Sequence, residues 1–508
     1  MNATLALSLL GALALPPAYG AEAAPPQPTP ADTVPTGSIR DAIAAIPVPP
    51  LEFAPPRATE TSLAGVPLFH LEDRSLPLVR LIARFERGYG HLDREWFGAA
   101  TVLPLLLRGG GIAGLTPDSV EILMEGLAAE TTFGGSGTST TSSLDVLKPR
   151  LPAAAALWTQ LLANPGFDAN AVENRRGREV EGLLRTGEDP GRLAVIRFNR
   201  LMFGDHFIGW ELAAEDLTPQ RVNPETLERV AEALLCRDRL VLGAVGALTE
   251  EEAREVLRPL VDGLPPCPGL GPSPPPPSIR PGPQVILVPH PTPQSVIVMG
   301  RGSTVVRDTT ERYFAAQVAN SILGGGGFSS RVLERIRTEE GLAYGASSFW
   351  TIPTRGAGVI GAMTRTGGHR TVEAMEVLAE VLEDARIQPP APTEVATVVD
   401  QVVNSFVFGF ETPHQIISRS MSLKSQGLTQ DWLIQYARGI AAVEPSQVAS
   451  VLEEELRTED LVILVVGDPS LFEGDLSKWG AVTRWGPGEG PPEWVSPSGL
   501  RGSPRSLR

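Results

Sequence analysis

Metal binding is the first chemistry to consider in this sequence, because histidine side chains are common zinc ligands. The chain contains six histidines: His70, His91, His206, His290, His369 and His414. No two of them lie within five residues of each other, so neither HxxxH nor HxxEH spacing occurs. Without such spacing, no helix face presents a pair of imidazoles to one metal ion. We therefore expect no metal ion and no other cofactor in this chain.

The two cysteines, Cys236 and Cys267, cannot build a tetrahedral zinc site alone. Cys236 comes before a predicted strand, and Cys267 follows the helix that should run back beside that strand. This path allows a disulfide between them. Two isolated thiols remain the alternative, because the sequence does not fix the Cα separation that a disulfide requires.

Four consecutive glycines, Gly324, Gly325, Gly326 and Gly327, follow a predicted helix. They are not a phosphate-binding loop, because no Lys-Ser or Lys-Thr pair follows them. One interpretation is a flexible connection at a helix end, where glycine accepts left-handed backbone geometry.

The charge balance argues against two classes of partner. The chain has 508 residues with 43 basic and 59 acidic side chains, which gives a net charge of −16. Such a surface repels phosphate backbones and anionic lipids, so we expect no nucleic-acid partner and no binding to an anionic membrane. The length predicts about two to four domains.

The first 23 residues have the pattern of an export signal. An apolar run from Leu5 to Leu15 precedes small residues at Ala18, Gly20 and Ala21. This pattern is typical of a cleaved signal peptide, although no Lys or Arg precedes the apolar run; a disordered Ala/Pro-rich leader is the alternative. No later stretch approaches the ~20 apolar residues of a membrane helix. We expect a periplasmic or secreted protein without membrane insertion after signal cleavage.

Proline-rich stretches divide the rest of the chain, because consecutive prolines favour a stiff, extended linker. The predicted organisation is a leader at 24–56, a first domain at 57–264, a linker at 265–283, a second domain at 284–475 and a tail at 476–508.

An internal repeat relates the two domains. Residues 222–246 (VNPETLERVAEALLCRDRLVLGAVG) align without a gap to residues 443–467 (VEPSQVASVLEEELRTEDLVILVVG). Both segments predict a helix that begins near proline, then a charged turn, and then a strand that ends at glycine. The rest of each half mixes strands and helices without regular β-α-β alternation. We predict an α+β fold of two homologous halves, each a mainly antiparallel sheet with helices packed on one face.

Three segments carry a resemblance to a known family. Residues 321–350 (SILGGGGFSSRVLERIRTEEGLAYGASSFW) and 408–416 (FGFETPHQI) resemble the C-terminal domain of bacterial insulinase-type (pitrilysin) zinc metallopeptidases. Residues 199–217 (NRLMFGDHFIGWELAAEDL) are similar to a stretch of the N-terminal domain of these peptidases. The resemblance extends over about residues 60–475 and implies two metallopeptidase-type halves.

The resemblance also implies that a metal site has been lost. Zinc-bearing members carry HxxEH on the first helix of the N-terminal half and a third ligand, glutamate, on a later helix. In the matching window 101–110, Thr101 and Leu105 replace the two histidines and Pro104 replaces the catalytic base. Gly182 stands in place of the third ligand.

A second part of the family's active site is retained. Arg337 and Tyr344, in RTEEGLAY, match the Arg/Tyr pair with which the C-terminal half of these enzymes assists catalysis. The resemblance implies that Arg337 lies at a helix end and Tyr344 on the next strand, and that Gly324–Gly327 line the substrate-binding chamber. A local alternative is that Arg337 caps its helix and Tyr344 merely packs.

These expectations together predict the non-zinc subunit of a heterodimeric periplasmic endopeptidase. A homologous HxxEH-containing partner would supply zinc, and an unfolded peptide would be the substrate. Without the partner we expect no activity. The alternative is a catalytically inactive homologue that acts as a binding or assembly subunit. A peptidase with a relocated metal site is a weaker third interpretation, against which the scattered histidines argue.

Overall fold

The computed structural model of the protein describes residues 53–268, 274–279, 282–327, 330–486 and 488–492. The predicted signal peptide and all but the end of the predicted leader lie outside the described residues, as does most of the predicted tail. In the part of the chain that is described, no helix is both long and apolar enough to cross a membrane.

The first half is built on one six-stranded sheet. Its strands are β1 (Thr59–Leu63), β2 (Val66–Glu72), β3 (Leu78–Phe85), β4 (Glu130–Gly135), β5 (Thr140–Leu147) and β6 (Leu240–Gly246). The order across the sheet is β1-β2-β6-β3-β5-β4. Only β2 and β6 pair in parallel, and the other four neighbouring pairs are antiparallel.

Seven helices belong to the described residues of this half. They are α1 (Phe97–Gly109), α2 (Pro117–Gly126), α3 (Leu151–Ala163), α4 (Ala169–Glu188), α5 (Pro190–Phe203), α6 (Pro224–Leu234) and α7 (Glu250–Gly263). Side-chain alternation in β3 shows how the sheet meets them. Leu81 and Phe85 join the core beneath the helices, while Arg80 and Arg84 point to the opposite face of the sheet.

The second half repeats this plan. Its strands are β7 (Gln284–Pro289), β8 (Gln294–Ser303), β9 (Ala346–Trp350), β10 (Gly358–Gly367), β11 (Val462–Gly467) and β12 (Val482–Arg484). The order is β12-β7-β11-β8-β10-β9, and β7 pairs in parallel with both β11 and β12.

The helices of the second half follow β8 and precede β11 in the sequence. They are α8 (Glu311–Asn320), α9 (Arg331–Leu333), α10 (Thr371–Ile387), α11 (Pro392–Phe406), α12 (Pro413–Ser425), α13 (Trp432–Ala441) and α14 (Pro445–Glu455). Two π-helical segments, Ser321–Gly325 and Glu334–Glu339, continue α8 and α9.

The internal repeat corresponds to the same unit in both halves. Residues 222–246 form α6 and β6, and residues 443–467 form α14 and β11. Each of these strands lies in the middle of its sheet, between one parallel and one antiparallel neighbour. The predicted α+β fold of two homologous, mainly antiparallel halves is therefore confirmed.

Each half also packs one of its helices on the sheet of the other half. The sequence predicted helices on only one face of each sheet, so it did not include this contact. Helix α5 packs its Phe198 on the open face of the second sheet, where the Phe198 and Phe349 ring centroids are 5.7 Å apart. Helix α12 packs Ile417 and Met421 on the open face of the first sheet. Each half thus covers part of the sheet face that the helices of the other half leave exposed.

Strand β12 and Trp485 lie in the stretch that the sequence assigns to the tail. Trp485 is buried between the second sheet and α5. The guanidinium carbon of Arg197 in α5 lies 4.1 Å from the centre of the Trp485 ring. Trp485 Nε1 donates a 3.0 Å hydrogen bond to the carbonyl of Glu489. This part of the tail is consequently part of the folded second half.

The described parts of the linker contact both halves, and on the second half the carbonyl of Pro277 accepts a 3.0 Å hydrogen bond from the amide of Ala357. Cys236 and Cys267 form a disulfide, with their Cα atoms 4.8 Å apart. The side chain of Asp238 accepts a 2.9 Å hydrogen bond from the Cys267 amide. Further along, the carbonyl of Pro275 accepts a 3.0 Å hydrogen bond from His206 Nε2.

Candidate functional site

Arg337 and Tyr344 lie together on the surface of the second half. The guanidinium carbon of Arg337 is 4.8 Å from the centre of the Tyr344 ring, a distance typical of a cation–π contact. Tyr344 is 86% exposed, whereas Arg337 is half-buried. The pair therefore presents a phenol and a guanidinium side by side to solvent.

A tight turn after the second π-helical segment brings the two side chains together. The segment Glu334–Glu339 carries Arg337. Gly341 follows with φ of 58°, a backbone conformation that glycine adopts without steric cost. Leu342 is then buried, and its amide donates a 2.8 Å hydrogen bond to the carbonyl of Ile336. This turn folds the loop back over the helix that holds Arg337.

Side chains outside the loop fix the backbone around Tyr344. Thr366 Oγ1 donates a 2.8 Å hydrogen bond to the carbonyl of Leu342, and Thr364 Oγ1 donates one of 3.0 Å to the carbonyl of Gly345. Arg370 donates a 3.2 Å hydrogen bond to the carbonyl of Gly341. Both threonines are buried on β10. Tyr344 is thus an exposed side chain on an anchored backbone.

The expected position of Tyr344 on a strand is wrong. Tyr344 lies in the loop, two residues before β9 begins at Ala346. The reason is that threonine hydroxyls, rather than the amides of a neighbouring strand, satisfy the carbonyls of Leu342 and Gly345. Sequence reasoning also missed Thr364 and Thr366. Their alternation in β10 was the available signal, because it places both on one face.

Acidic residues beside the pair are neutralised by another arginine. Arg335 forms 2.8 Å ion pairs with both Glu339 and Glu340, which come directly before the turn. These ion pairs reduce the negative potential of the two carboxylates, which would otherwise repel the carbonyl oxygen of a substrate. A guanidinium and a phenol placed side by side can each donate a hydrogen bond to one carbonyl or oxyanion.

The glycine cluster has a packing role at its first residue. Gly324 is buried against β9, and a Cβ atom there would overlap the amide nitrogen of Ser348. The next three glycines are exposed, and Gly327 has φ of 89°. Gly325, Gly326 and Gly327 are therefore the part of the cluster that faces solvent, while Gly324 lets the helix end approach the sheet.

The positions that the resemblance assigns to the metal motif lie on two helices of the first half. Thr101, Pro104 and Leu105 are on α1, and Gly182 is on α4. Thr101 Oγ1 donates a 2.8 Å hydrogen bond to the carbonyl of Phe97, so it is used within its own helix. None of the four offers an imidazole or a carboxylate, and these residues do not fit a zinc ion.

The histidines are dispersed over the structure. His70, His206 and His290 each donate from Nε2 to a backbone carbonyl, at distances of 2.9, 3.0 and 2.8 Å. Burial lowers the pKa of His91 and His414, and nearby Arg87 and Arg80 lower these pKa values further. No group of three or more His, Cys, Asp or Glu side chains that could hold a metal occurs among the described residues.

Comparison with known proteins shows which family this chain resembles. The family model described as "Peptidase M16 inactive domain" matches residues 221–402. An uncharacterised zinc protease of Streptomyces coelicolor is 24% identical over 326 residues, which cover 61% of this chain and 68% of that protein. The chain is therefore similar to the M16, or insulinase-type, peptidases. The predicted resemblance is thus confirmed.

A second relative of this chain has a different description. The non-peptidase homologue YmxG of Helicobacter pylori is 22% identical over 336 residues, which cover 65% of this chain and 76% of that protein. Proteins named as proteases and a protein named as a non-peptidase therefore both resemble the chain at a similar level.

Solved structures share the fold of this chain. A peptidase M16 inactive domain from Pseudomonas fluorescens has a TM-score of 0.72 at 21% identity, covering 81% of this chain and 98% of that one. The periplasmic protease PqqL from Escherichia coli has a TM-score of 0.67 at 13% identity, covering 81% of this chain and 46% of that one. Because the match covers less than half of PqqL, that chain is about twice as long as the shared fold.

Proposed function

We propose that this chain is the zinc-lacking subunit of an exported insulinase-type endopeptidase. In this role it binds a homologous HxxEH-bearing partner and completes the partner's active site. The observation that carries the proposal is the Arg337–Tyr344 pair, in which an exposed phenol contacts a guanidinium on an anchored loop. The metal-motif positions of the same chain lack imidazole and carboxylate groups, so the pair is one part of an active site that needs a second chain.

Each side chain has a role that its chemistry supports. Arg337 holds the carbonyl oxygen of the scissile peptide, because a guanidinium is permanently charged and presents several N–H donors. Tyr344 donates its hydroxyl proton in a hydrogen bond to the oxyanion that develops as water attacks. A zinc ion bound by the partner would supply the activated water. The anchored backbone keeps the Tyr344 hydroxyl positioned before the substrate arrives.

A non-catalytic binding or assembly subunit is the second candidate function. The relative named as a non-peptidase homologue favours it. Such a subunit would place no demand on the Arg337–Tyr344 contact. The two functions therefore differ in whether this contact affects turnover by the assembled pair of chains.

The test is co-expression with a homologue that carries HxxEH, followed by cleavage of an unfolded fluorogenic peptide. We expect cleavage by the pair of chains and by neither chain alone. Arg337→Ala and Tyr344→Phe should each lower kcat about 10²–10³-fold, which is typical for the loss of one oxyanion donor. Arg258→Ala is the control, because Arg258 is an exposed arginine on α7 of the first half and pairs with Asp262.

Complex formation must be measured separately by size-exclusion chromatography. Variants that still bind the partner but lose turnover support the catalytic role. Full turnover by both variants in an intact complex would instead favour the assembly subunit, and stoichiometric zinc in this chain alone would contradict both.

A further inference from the structure

A cavity of about 410 Å³ lies on the open face of the first sheet, between that face and helix α12. Arg80, Ile82 and Arg84 of β3 line it from the sheet, and Met421 lines it from α12. The core helices of the first half, α1 included, pack on the opposite face of the sheet. The volume is within the range of about 300–1,000 Å³ typical of small-ligand pockets, so the cavity has room for one aromatic ring.

Arg84 brings a positive charge without a carboxylate partner to this cavity. Its Nε donates a 2.7 Å hydrogen bond to Ser425 Oγ, whose own proton goes to the carbonyl of Met421 at 3.0 Å. Among the described residues Arg84 forms no ion pair. Burial lowers the pKa of Arg84, because desolvation disfavours its charged form, and Glu86 on the same face of the strand offsets this only in part. An anion bound here would compensate a cation that the fold has partly removed from water.

The other titratable groups around the cavity add little net charge. Arg80 donates from Nε to Asp145, its cross-strand neighbour on β5, so these two charges neutralise each other. Burial and the charge of Arg80 lower the pKa of His414, so its imidazole is mostly neutral at about pH 7. Arg84 is then balanced by a singly charged anion, whereas Asp145 and Glu86 would repel the second charge of a dianion.

A hydroxyl group and apolar surface lie beside the Arg84 guanidinium. Thr141 lines the cavity and lies directly opposite Arg84 in the register of β3 and β5. Its neighbour on β4 is Gly134, where a Cβ atom would come within 3.2 Å of Thr141 Oγ1, so glycine leaves space beside this hydroxyl. Ile82 and Met421 are both buried and offer apolar surface to the same cavity.

We propose that this cavity binds a small molecule with one carboxylate and an apolar body. The carboxylate oxygens accept hydrogen bonds from the terminal N–H groups of Arg84, in the paired geometry that arginine and carboxylate favour. One of these oxygens also accepts a hydrogen bond from Thr141 Oγ1. The apolar body packs against Ile82 and Met421. The site needs neither a peptide nor a second chain, and it is independent of the proposed catalytic role.

Isothermal titration calorimetry with benzoate tests this site on the full chain alone. Benzamide is the matched neutral probe, because it has nearly the same shape and lacks the charge. We expect benzoate to bind at least about tenfold more tightly than benzamide, the effect of a charge-assisted hydrogen bond. Phenyl phosphate carries close to two negative charges at neutral pH and should bind more weakly than benzoate.

Two substitutions locate the bound carboxylate. Arg84→Met keeps much of the side-chain volume and should weaken benzoate binding about 10–100-fold, whereas Thr141→Val should weaken it about fivefold. Arg229→Met is the control, because Arg229 is an exposed arginine on α6 that pairs with Glu225. Circular dichroism verifies that each variant folds.

Three outcomes would overturn the proposal: equal binding of benzoate and benzamide, undiminished benzoate binding by both cavity variants, or no binding of benzoate at millimolar concentration. Tighter binding of phenyl phosphate than of benzoate would overturn the assignment to a carboxylate. Because no zinc-bearing partner is present in these titrations, each outcome is separate from failure of the proposed catalytic role.

Discussion

Thr366 Oγ1 lies 2.8 Å from the carbonyl oxygen of Leu342, two residues before Tyr344. This hydrogen bond, with the bond from Thr364 to Gly345, makes β10 the support of the Tyr344 loop. An exposed tyrosine ordinarily samples several backbone and side-chain conformations. Here the backbone on both sides of Tyr344 is hydrogen-bonded to a buried strand, so the loop is ordered before substrate binds.

Removal of these threonine hydroxyls should loosen the loop. We expect Thr364→Val with Thr366→Val to increase amide hydrogen exchange in residues 341–345, because two carbonyl anchors are lost. In the complex with a zinc-bearing partner, kcat should fall about tenfold with little change in KM. Thr397→Val is the control, since Thr397 is exposed on α11 and bonds only within its helix. Unchanged exchange in residues 341–345 would show that the threonines do not anchor the loop.

Substitution of Tyr344 should hardly affect folding. Because its side chain is 86% exposed, Tyr344→Ala should change the free energy of unfolding by about 0.5 kcal/mol or less. Tyr313→Ala is the informative comparison, because Tyr313 is buried beside Phe314, Trp432 and Tyr436. That variant should lose about 3–5 kcal/mol in urea denaturation. A comparable loss for Tyr344→Ala would mean that Tyr344 packs against the fold.

Two glycine substitutions should have opposite effects. Gly182 lies inside α4, and no atom lies within 4 Å of the place that a Cβ atom would occupy there, so Gly182→Ala should stabilise the protein by about 0.5–1 kcal/mol. Gly324→Ala should destabilise it by about 1–3 kcal/mol, because the methyl group would overlap the backbone of Ser348. Thermal unfolding measures both. A stabilised Gly324→Ala would contradict the close approach of the first π-helical segment to β9.

Acidification should destabilise the fold before the carboxylates titrate. Burial lowers the pKa of His91, His206 and His414. The unfolded chain, in which histidine titrates at about pH 6.5, therefore binds more protons than the folded chain below that pH. Stability that is present above about pH 6.5 is lost as the pH falls toward the depressed folded-state pKa values.

Urea denaturation at about pH 7.5 and about pH 5.5 measures this loss. His414→Gln should show a smaller loss than the wild type, although Asp145 partly offsets the effects of burial and Arg80 on the His414 pKa. The exposed His369 supplies the control variant, His369→Gln. An identical loss in His414→Gln and the wild type would exclude His414 as a contributor.

Reduction of the disulfide should lower stability. Cys236 and Cys267 close a loop with a sequence separation of 31. The double substitution Cys236→Ser with Cys267→Ser should cost about 2–4 kcal/mol, mainly because the unfolded chain gains freedom. Dithiothreitol should lower the Tm of the wild type and leave the Tm of the double variant unchanged. Detection of two free thiols in the native, unreduced protein would contradict the bond.

Local patterns predicted much of the fold, because short strands and helix ends carry their own signals. The apolar runs at 78–85 and 284–289, for example, form β3 and β7. The repeat predicted the duplication, and the RTEEGLAY segment identified the two residues that make the cation–π contact.

Other features depended on tertiary contacts that no local pattern records. The burial of Trp485 depends on Arg197, almost three hundred residues earlier in the chain. The loop position of Tyr344 depends on the hydroxyls of Thr364 and Thr366. The cavity beside Arg84 depends on the packing of α12 against the first sheet. In each case the deciding partner lies on another element, and sequence spacing alone does not reveal it.

The exchange of α5 and α12 has a consequence for how this chain can be divided. A first half expressed without α12 would expose the apolar sheet face beneath Ile417 and Met421. A second half expressed without α5 would likewise expose the apolar face beneath Phe198. Proteolytic nicking of the linker at 265–283 should therefore yield two fragments that stay together until denatured. In this sense the chain is a tethered pseudo-dimer, in which neither half is a complete folding unit on its own.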